Sequence, residues 1–275
     1  MELFKYDDSD IKSILKYAKQ LENKTFREIT EAYEKSEIKQ YYNSKDYPPA
    51  DALTSNEVVK YIKNAKAKGQ LGGLLEQYYF GYKPNSKQEP DFPKVELELK
   101  QTCIDKTKKG DFRAGERLSI TMVDYTKPVE EDFYKSHVWK KMKQMLLIHY
   151  LRDKEIDRLD YEIKHVNLFQ PPKEDLKIIE QDYKKIIKKI KEGRAHELSE
   201  GDTMYLGACT KGANAEKSLT TQYYNPSVPA KSRGFCFKQS YMNHILKQYV
   251  LNNKVPFESI IKNCFKYTNK QKYWI

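Results

Sequence analysis

The sequence has no aliphatic run longer than Met145-Leu146-Leu147-Ile148. A bilayer-crossing helix needs ~18 or more apolar residues, so a membrane-spanning chain is excluded and no membrane partner is expected. The N-terminus lacks the layout of a signal peptide, because Glu2, Asp7 and Asp8 interrupt it. There are 4 cysteines in 275 residues, at positions 103, 209, 236 and 264. No two have metal-clip spacing, which argues against zinc. So few in so long a chain fit a reducing cytosol rather than a disulfide scaffold. No internal repeat occurs. His137, His149, His165 and His244 do not cluster. His196-Glu197 looks like an acid–base pair, but no second His lies at metal spacing, and a loop-anchoring role is expected. RNP-like and KH-like blocks are missing, which leaves RNA binding without a motif.

What is present is enough for a folded core. Hydrophobic residues make up 39% and charged residues 32%, with 22 Tyr and 11 Phe, so wholesale disorder is excluded. The length allows one large domain or two small ones. Lys and Arg number 50 against 39 Asp and Glu, a net +11. A basic chain is attracted to polyanions, nucleic acid being the commonest. Charge alone leaves a second explanation open, an AT-rich coding bias that inflates Lys, Asn, Ile and Tyr together.

Apolar spacing sets the expected elements. Ile11, Ile14, Leu15, Ala18 and Leu21, then Phe26, Ile29 and Tyr33, recur at helical intervals. Thr54-Ser55-Asn56-Glu57 has capping-box spacing before Val58, Val59, Ile62 and Ala65. A further helix is expected from Leu71 to Phe80, ending at Gly81. Residues 84–93 read as a polar loop. Val95 to Lys100 alternates strictly, predicting a strand with Val95, Leu97 and Leu99 buried and Glu96, Glu98 and Lys100 on a charged face. Leu118 to Met122 and Met145 to Tyr150 are further strands. Pro171-Pro172 opens a long helix that Gly193 closes, with Ile179, Tyr183, Ile186 and Ile190 as its apolar face. Short strands are expected at 205–206 and 235–237 around a polar loop, 210–229, before a last helix from Tyr241 to Val250. This order indicates an α/β or α+β fold with a small mixed sheet flanked by helices. The expected organisation is a helical N-terminal extension (1–50), a main domain (51–250) and a linker or tail (251–275).

The chemistry concentrates at Asp91 and Glu98-Leu99-Lys100. Residues two apart on a strand share a face, so Glu98 and Lys100 point the same way. Asp91 on the neighbouring strand or turn brings a second carboxylate. Two carboxylates suit a hard divalent cation such as Mg2+. The cation polarises a phosphodiester and lowers the pKa of bound water, and a nearby Lys orients that water or neutralises growing charge. An exposed strand with alternating charges gives the same pattern, and Glu96 shares the expected face as decoy or helper.

The surroundings are more specific. Upstream stands Lys68-Gly69-Gln70-Leu71-Gly72-Gly73-Leu74-Leu75-Glu76, then Tyr79-Phe80-Gly81, Pro90-Asp91-Phe92-Pro93 and Glu98-Leu99-Lys100. Downstream follow Ala195-His196-Glu197-Leu198-Ser199-Glu200-Gly201, Tyr205-Leu206, Cys209-Thr210-Lys211-Gly212-Ala213-Asn214-Ala215, and Arg233-Gly234-Phe235-Cys236-Phe237-Lys238. Across residues 55–250 these blocks resemble the MutH family of endonucleases, which holds a methyl-directed mismatch-repair nicking enzyme and Sau-type restriction enzymes that cut at GATC. The later blocks resemble the catalytic domain of the restriction branch.

The resemblance implies a PD-(D/E)xK nuclease fold with two lobes around a DNA cleft, and a Mg-dependent type II restriction endonuclease acting on double-stranded GATC DNA. It implies Asp91 and Glu98 as metal ligands with the Leu99 carbonyl beside them, Lys100 as the catalytic lysine, Glu76 as an extra carboxylate in the same site and Lys141 as a second lysine, with Lys140 or Lys143 as its alternatives in the same short segment. Base reading and DNA binding would fall to Thr210, Lys211, Gly212, Asn214, Arg233 and Lys238. Cys209 stands where the repair branch has an arginine, and Cys236 where it has a tyrosine associated with sensing adenine methylation. The restriction branch carries a second related domain, so a second DNA-binding domain or a dimer is an expected partner. Two alternatives stay open: a non-catalytic DNA-binding module of this fold, and a repair-type nicking endonuclease.

Overall fold

The computed structural model describes residues 5–35, 70–82, 89–212 and 218–252. The expected capped helix near 54–65 and nearly all of the 251–275 tail lie outside them, as do Lys68, Gly69 and Asn214. The chain divides into two compact units. One comprises Met1–Phe112, Leu146–Leu168 and Phe257–Ile275, and the other Arg113–Met145 and Phe169–Pro256.

The first unit opens with helix α1 (Ile11–Ala18), capped by Asp10, whose carboxylate accepts the Lys12 N–H at 3.0 Å. Helix α2 (Phe26–Lys35) starts from a capping box in which Thr25 and Glu28 satisfy each other's backbone N–H groups at 2.8 and 3.2 Å. Helix α3 (Gln70–Leu74) widens into a π-helical turn over Leu75–Tyr79 and stops before Gly81, whose φ is 76°. Tyr17 and Tyr79 each donate a phenolic hydrogen to the other's backbone carbonyl, at 2.8 and 2.7 Å, with their rings stacked 4.4 Å apart. The N-terminal helices are therefore fastened into this unit.

Its sheet runs in the order β2-β1-β4-β5, with β1 at Glu98–Lys106, β2 at Phe112–Ala114, β4 at Met145–Leu151 and β5 at Ile163–Phe169. Met145 to Ile148 are all fully buried. A continuous apolar run belongs on a strand covered on both faces, which suits β4's inner place. Strand β5 escapes the sequence because His165 and Asn167 break its pattern; Asn167 is buried and accepts from Lys19 at 3.4 Å.

The second unit is built on an antiparallel sheet in the order β3-β9-β6, with β3 at Leu118–Met122, β9 at Arg233–Phe237 and β6 at Leu206–Thr210. Helix α4 spans His137–Met142 and α5 spans Lys173–Lys191. Helix α5 buries Ile179, Tyr183, Ile186 and Ile190 as its spacing requires, and the Tyr183 ring lies 5.7 Å from that of Phe235. Helix α6 (Gln239–Ile245) widens into a second π-helical turn, Leu246–Leu251. The expected polar loop at 210–229 instead contains a two-stranded hairpin, β7 (Leu219–Gln222) and β8 (Asn225–Lys231). Pro226 and Pro229 hide β8 from a sequence reading, yet a two-stranded ribbon has free edges that tolerate proline.

Candidate functional site

The segment from Asp91 to Lys100 folds as a tight hairpin rather than a six-residue strand. Phe92 and Leu97 exchange both backbone hydrogen bonds, at 2.9 and 3.1 Å. Between them Pro93–Val95 forms a 3-10 turn and Glu96 closes it in the left-handed region at φ 51°. Proline fixes the φ that starts such a turn, so the alternation read from Val95 onward begins only at Leu97. Glu96 is consequently an exposed turn residue and leaves the face it was expected to share. Phe92 and Leu97 are buried anchors, and the Phe92 ring meets Phe80 at 5.3 Å and Tyr82 at 5.2 Å.

Because 92 opposes 97 in an antiparallel bridge, the next pair outward is 91 and 98, on the opposite side from the two anchors. This sets the two expected residues at neighbouring backbone positions. The Asp91 Oδ2 accepts the Leu99 N–H at 2.9 Å, and Glu98 Oε1 accepts from Lys100 Nζ. Glu98 is 1% exposed. The expected charged outer face is therefore buried here, and the Lys100 ammonium offsets a carboxylate removed from water.

The donor set is two carboxylates on either side of the Phe92–Leu97 bridge, Asp91 just before it and Glu98 at the start of β1. Among the described residues no group of three or more His, Cys, Asp or Glu is placed to hold a metal, so Glu76 does not complete a three-carboxylate set with Asp91 and Glu98. Glu76 sits on the π-helical turn, one turn beyond Gly72, whose bare backbone is packed by the Gln101 side chain of β1. Mg2+ commonly takes one or two carboxylates and completes its shell with other oxygens and water, so the Asp91–Glu98 pair fits a hard divalent cation. Lys141 lies on α4, half-buried, in the second unit.

The residues expected to read DNA separate into two groups. Thr210 ends β6 in an exposed position and Gly212 is exposed beyond it. Lys211 donates its backbone N–H to the Ser232 carbonyl at 2.8 Å and its ammonium to Ser119 Oγ at 2.7 Å. Arg233 and Lys238 are internal fasteners. Arg233 is buried and its Nη1 donates to the Ala208 carbonyl at 2.7 Å. The Lys238 ammonium donates to the carbonyls of Glu200 and Thr203 at 2.8 and 2.7 Å.

Cys209 and Cys236 are both fully buried on one face of β6 and β9. The neighbouring Cys236 thiol, helped by Lys211 and Arg117, holds the Cys209 thiol below its ordinary range despite burial, and the same contact pushes Cys236 up. His196 anchors a turn: its Nδ1 lies 3.3 Å from Gln222 Nε2, while Glu197 pairs with Arg194 at 2.7 Å.

Two residues escaped the sequence reading. Arg117 forms an ion pair with Glu200 beside Thr210. Asp182 is buried on α5 and accepts the backbone N–H groups of Met204, Tyr205 and Leu206 at 3.0, 2.6 and 3.0 Å, fixing the start of β6. Its signal was a carboxylate set among Ile179, Tyr183 and Ile186, where an apolar stripe leaves no place for an unpaired charge.

Residues 80–182, which include Asp91, Glu98, Lys100 and Lys141, match the family model described as DNA mismatch repair enzyme MutH. The type II restriction enzyme Sau3AI of Staphylococcus aureus is 38% identical over 207 residues, covering 74% of this chain and 42% of the relative. The DNA mismatch repair protein MutH of Vibrio parahaemolyticus is 28% identical over 189 residues, 67% of this chain and 80% of the relative. That of Shigella flexneri is 26% identical over 203 residues, 73% and 84%. The chain thus spans less than half the length of the restriction enzyme it matches. The chain therefore carries a region of the MutH family at residues 80–182, and it is more alike in sequence to the type II restriction enzyme than to the two repair proteins.

Proposed function

We propose that the chain is the catalytic part of a type II restriction endonuclease that hydrolyses phosphodiester bonds of double-stranded DNA at GATC with Mg2+. One observation carries the reading: Asp91 and Glu98 flank the isolated Phe92–Leu97 bridge, Asp91 accepts the Leu99 N–H, and Lys100 is hydrogen-bonded to Glu98. A divalent cation bound by this pair, with the Leu99 carbonyl as a further oxygen, supplies polarisation of the phosphate and a bound water of lowered pKa. The rest belongs to the chain's own groups. The Leu99 N–H orients the Asp91 carboxylate. Lys100 stands beside the pair, where its ammonium orients a water or meets charge growing on the phosphate. Glu76 acts from the π-helical turn, outside the ligand pair itself, Lys141 contacts a DNA phosphate from the second unit, and Thr210, Lys211, Gly212 and Asn214 read base edges.

A second reading, single-strand nicking of the repair type, is favoured by coverage, since the chain spans 80% of a repair relative. A supercoiled plasmid carrying GATC separates the readings. With Mg2+ the restriction reading expects linear fragments, the nicking reading expects open circles, and a non-catalytic module expects neither. EDTA or Asp91→Ala should abolish cutting while leaving DNA binding within about tenfold. Wild-type cleavage by Asp91→Ala rules the proposed site out.

A further inference from the structure

The sheet face that ends in Lys211 has a floor of small residues where β6 and β9 meet. Gly207 lies opposite Cys236 and Cys209 opposite Gly234, while Ser119 and Met122 of β3 lie opposite Cys236 and Gly234 on the other side. Opposite residues share a face, so Lys211 and Lys238, each two positions beyond a cysteine, lie over this floor. Each lysine stem crosses a glycine. A Cβ on Gly207 would stand 3.2 Å from Lys238 Cγ, and one on Gly234 only 2.7 Å from Lys211 Cε. The two ammonium groups end differently. Lys238 is tied to two backbone carbonyls, which no side-chain rotation removes. Lys211 is tied to one exposed hydroxyl, Ser119 Oγ, on the edge strand.

We infer that Ser119 and Gly234 are positioning residues for Lys211: the bare Gly234 backbone lets the stem lie flat on the sheet, and Ser119 holds the ammonium where an acceptor on a DNA base edge takes it over. The inference rests on the proposed function and names what sets its sequence discrimination. An unheld lysine has many rotamers, and ordering it before DNA arrives removes an ordering cost from association. A serine hydroxyl suits the task because it accepts while DNA is absent and turns away when a guanine O6 or N7 replaces it.

The test combines a measurement on the free protein with one on DNA. In the free protein, the Lys211 side-chain ammonium should give an ordered NMR signal that Ser119→Ala abolishes and Ser119→Thr keeps. On DNA, Ser119→Ala should raise KM for a GATC duplex about fivefold with kcat within about twofold, and lower the preference over duplexes with one altered base pair about tenfold. Ser119→Thr should restore both. Gly234→Ala should lower the preference likewise, because its methyl displaces Lys211. That methyl also approaches the Thr121 carbonyl at 3.1 Å, so the decision rests on the two exposed Ser119 variants. Unchanged KM and preference in Ser119→Ala overturns the inference, as does an ammonium signal insensitive to Ser119. An ordered, Ser119-dependent ammonium in a wild-type protein with no preference for GATC sinks the GATC reading instead.

Discussion

Asp182 shows how much one side chain sets at the residue scale. Its carboxylate accepts three backbone N–H groups at the start of β6, the strand that ends in Thr210. Asp182→Ala leaves a buried donor, the Leu206 N–H, and two part-buried ones without their acceptor, and should cost about 3 kcal/mol in urea unfolding; a loss under about 1 kcal/mol would show that water replaces the carboxylate. Cys236 acts in the opposite way, by not reaching out. Its thiol is fully buried and donates to the Gly207 carbonyl at 3.5 Å. No ring projects from this position to meet an N6-methyl group on adenine. Cutting of a GATC duplex methylated on both adenines should therefore stay within about tenfold of the unmethylated rate; a drop of about a hundredfold, roughly 2.7 kcal/mol, would contradict this.

At the element scale, α5 ends at Gly193, whose φ is 70°. A Cβ there would stand 2.8 Å from the Cβ of Asn225, whose amide donates to the Gly193 carbonyl at 3.1 Å. Gly193→Ala combines left-handed strain with this collision and should lower stability by about 1–3 kcal/mol; thermal unfolding at the wild-type midpoint would refute it. Such stops were legible. Gly81 and Gly193 end their helices, the α2 and α5 stripes are buried as spaced, as is that of α1 apart from half-buried Leu15, and the apolar run of β4 reads directly from the sequence. The Asp91–Glu98 pair could be named from the sequence, but not the shape that holds it. Strict alternation concealed a turn, because Pro93 and a left-handed Glu96 are local exceptions that a period of two does not register. Strand β5 was hidden by buried polar residues whose partners come from far along the chain, as Lys19 does for Asn167. Arg233 and Lys238 show the same limit. Sequence supplies a cation, while only the fold shows that its hydrogen bonds are internal.

At the scale of the whole molecule, stability should depend on acid through His149. It is fully buried, and burial together with His165 lowers its pKa to about 3. In the unfolded chain it titrates near 6.5. Between these values the unfolded state binds a proton that the folded state refuses, so stability falls as pH drops below about 6.5. From pH 7 to 5 this contribution is about 2 kcal/mol, and His149→Gln should flatten that part of a pH series of urea midpoints. Equal slopes in variant and wild type would remove His149 as the cause. The net charge of +11 adds a second global dependence, since DNA affinity built on neutralised phosphates falls steeply with salt. Both dependences should be fixed before variants are compared on DNA. The central claim is that Asp91, Glu98 and Lys100 form one metal-dependent hydrolytic site. The measurement that tests it most directly is the cleavage rate of a GATC duplex in Mg2+ by wild type and by Glu98→Gln, a variant close in shape that lacks the charge. Wild type should cut, and Glu98→Gln should lose at least about a thousandfold, with DNA binding retained. Cleavage by Glu98→Gln at the wild-type rate would contradict it.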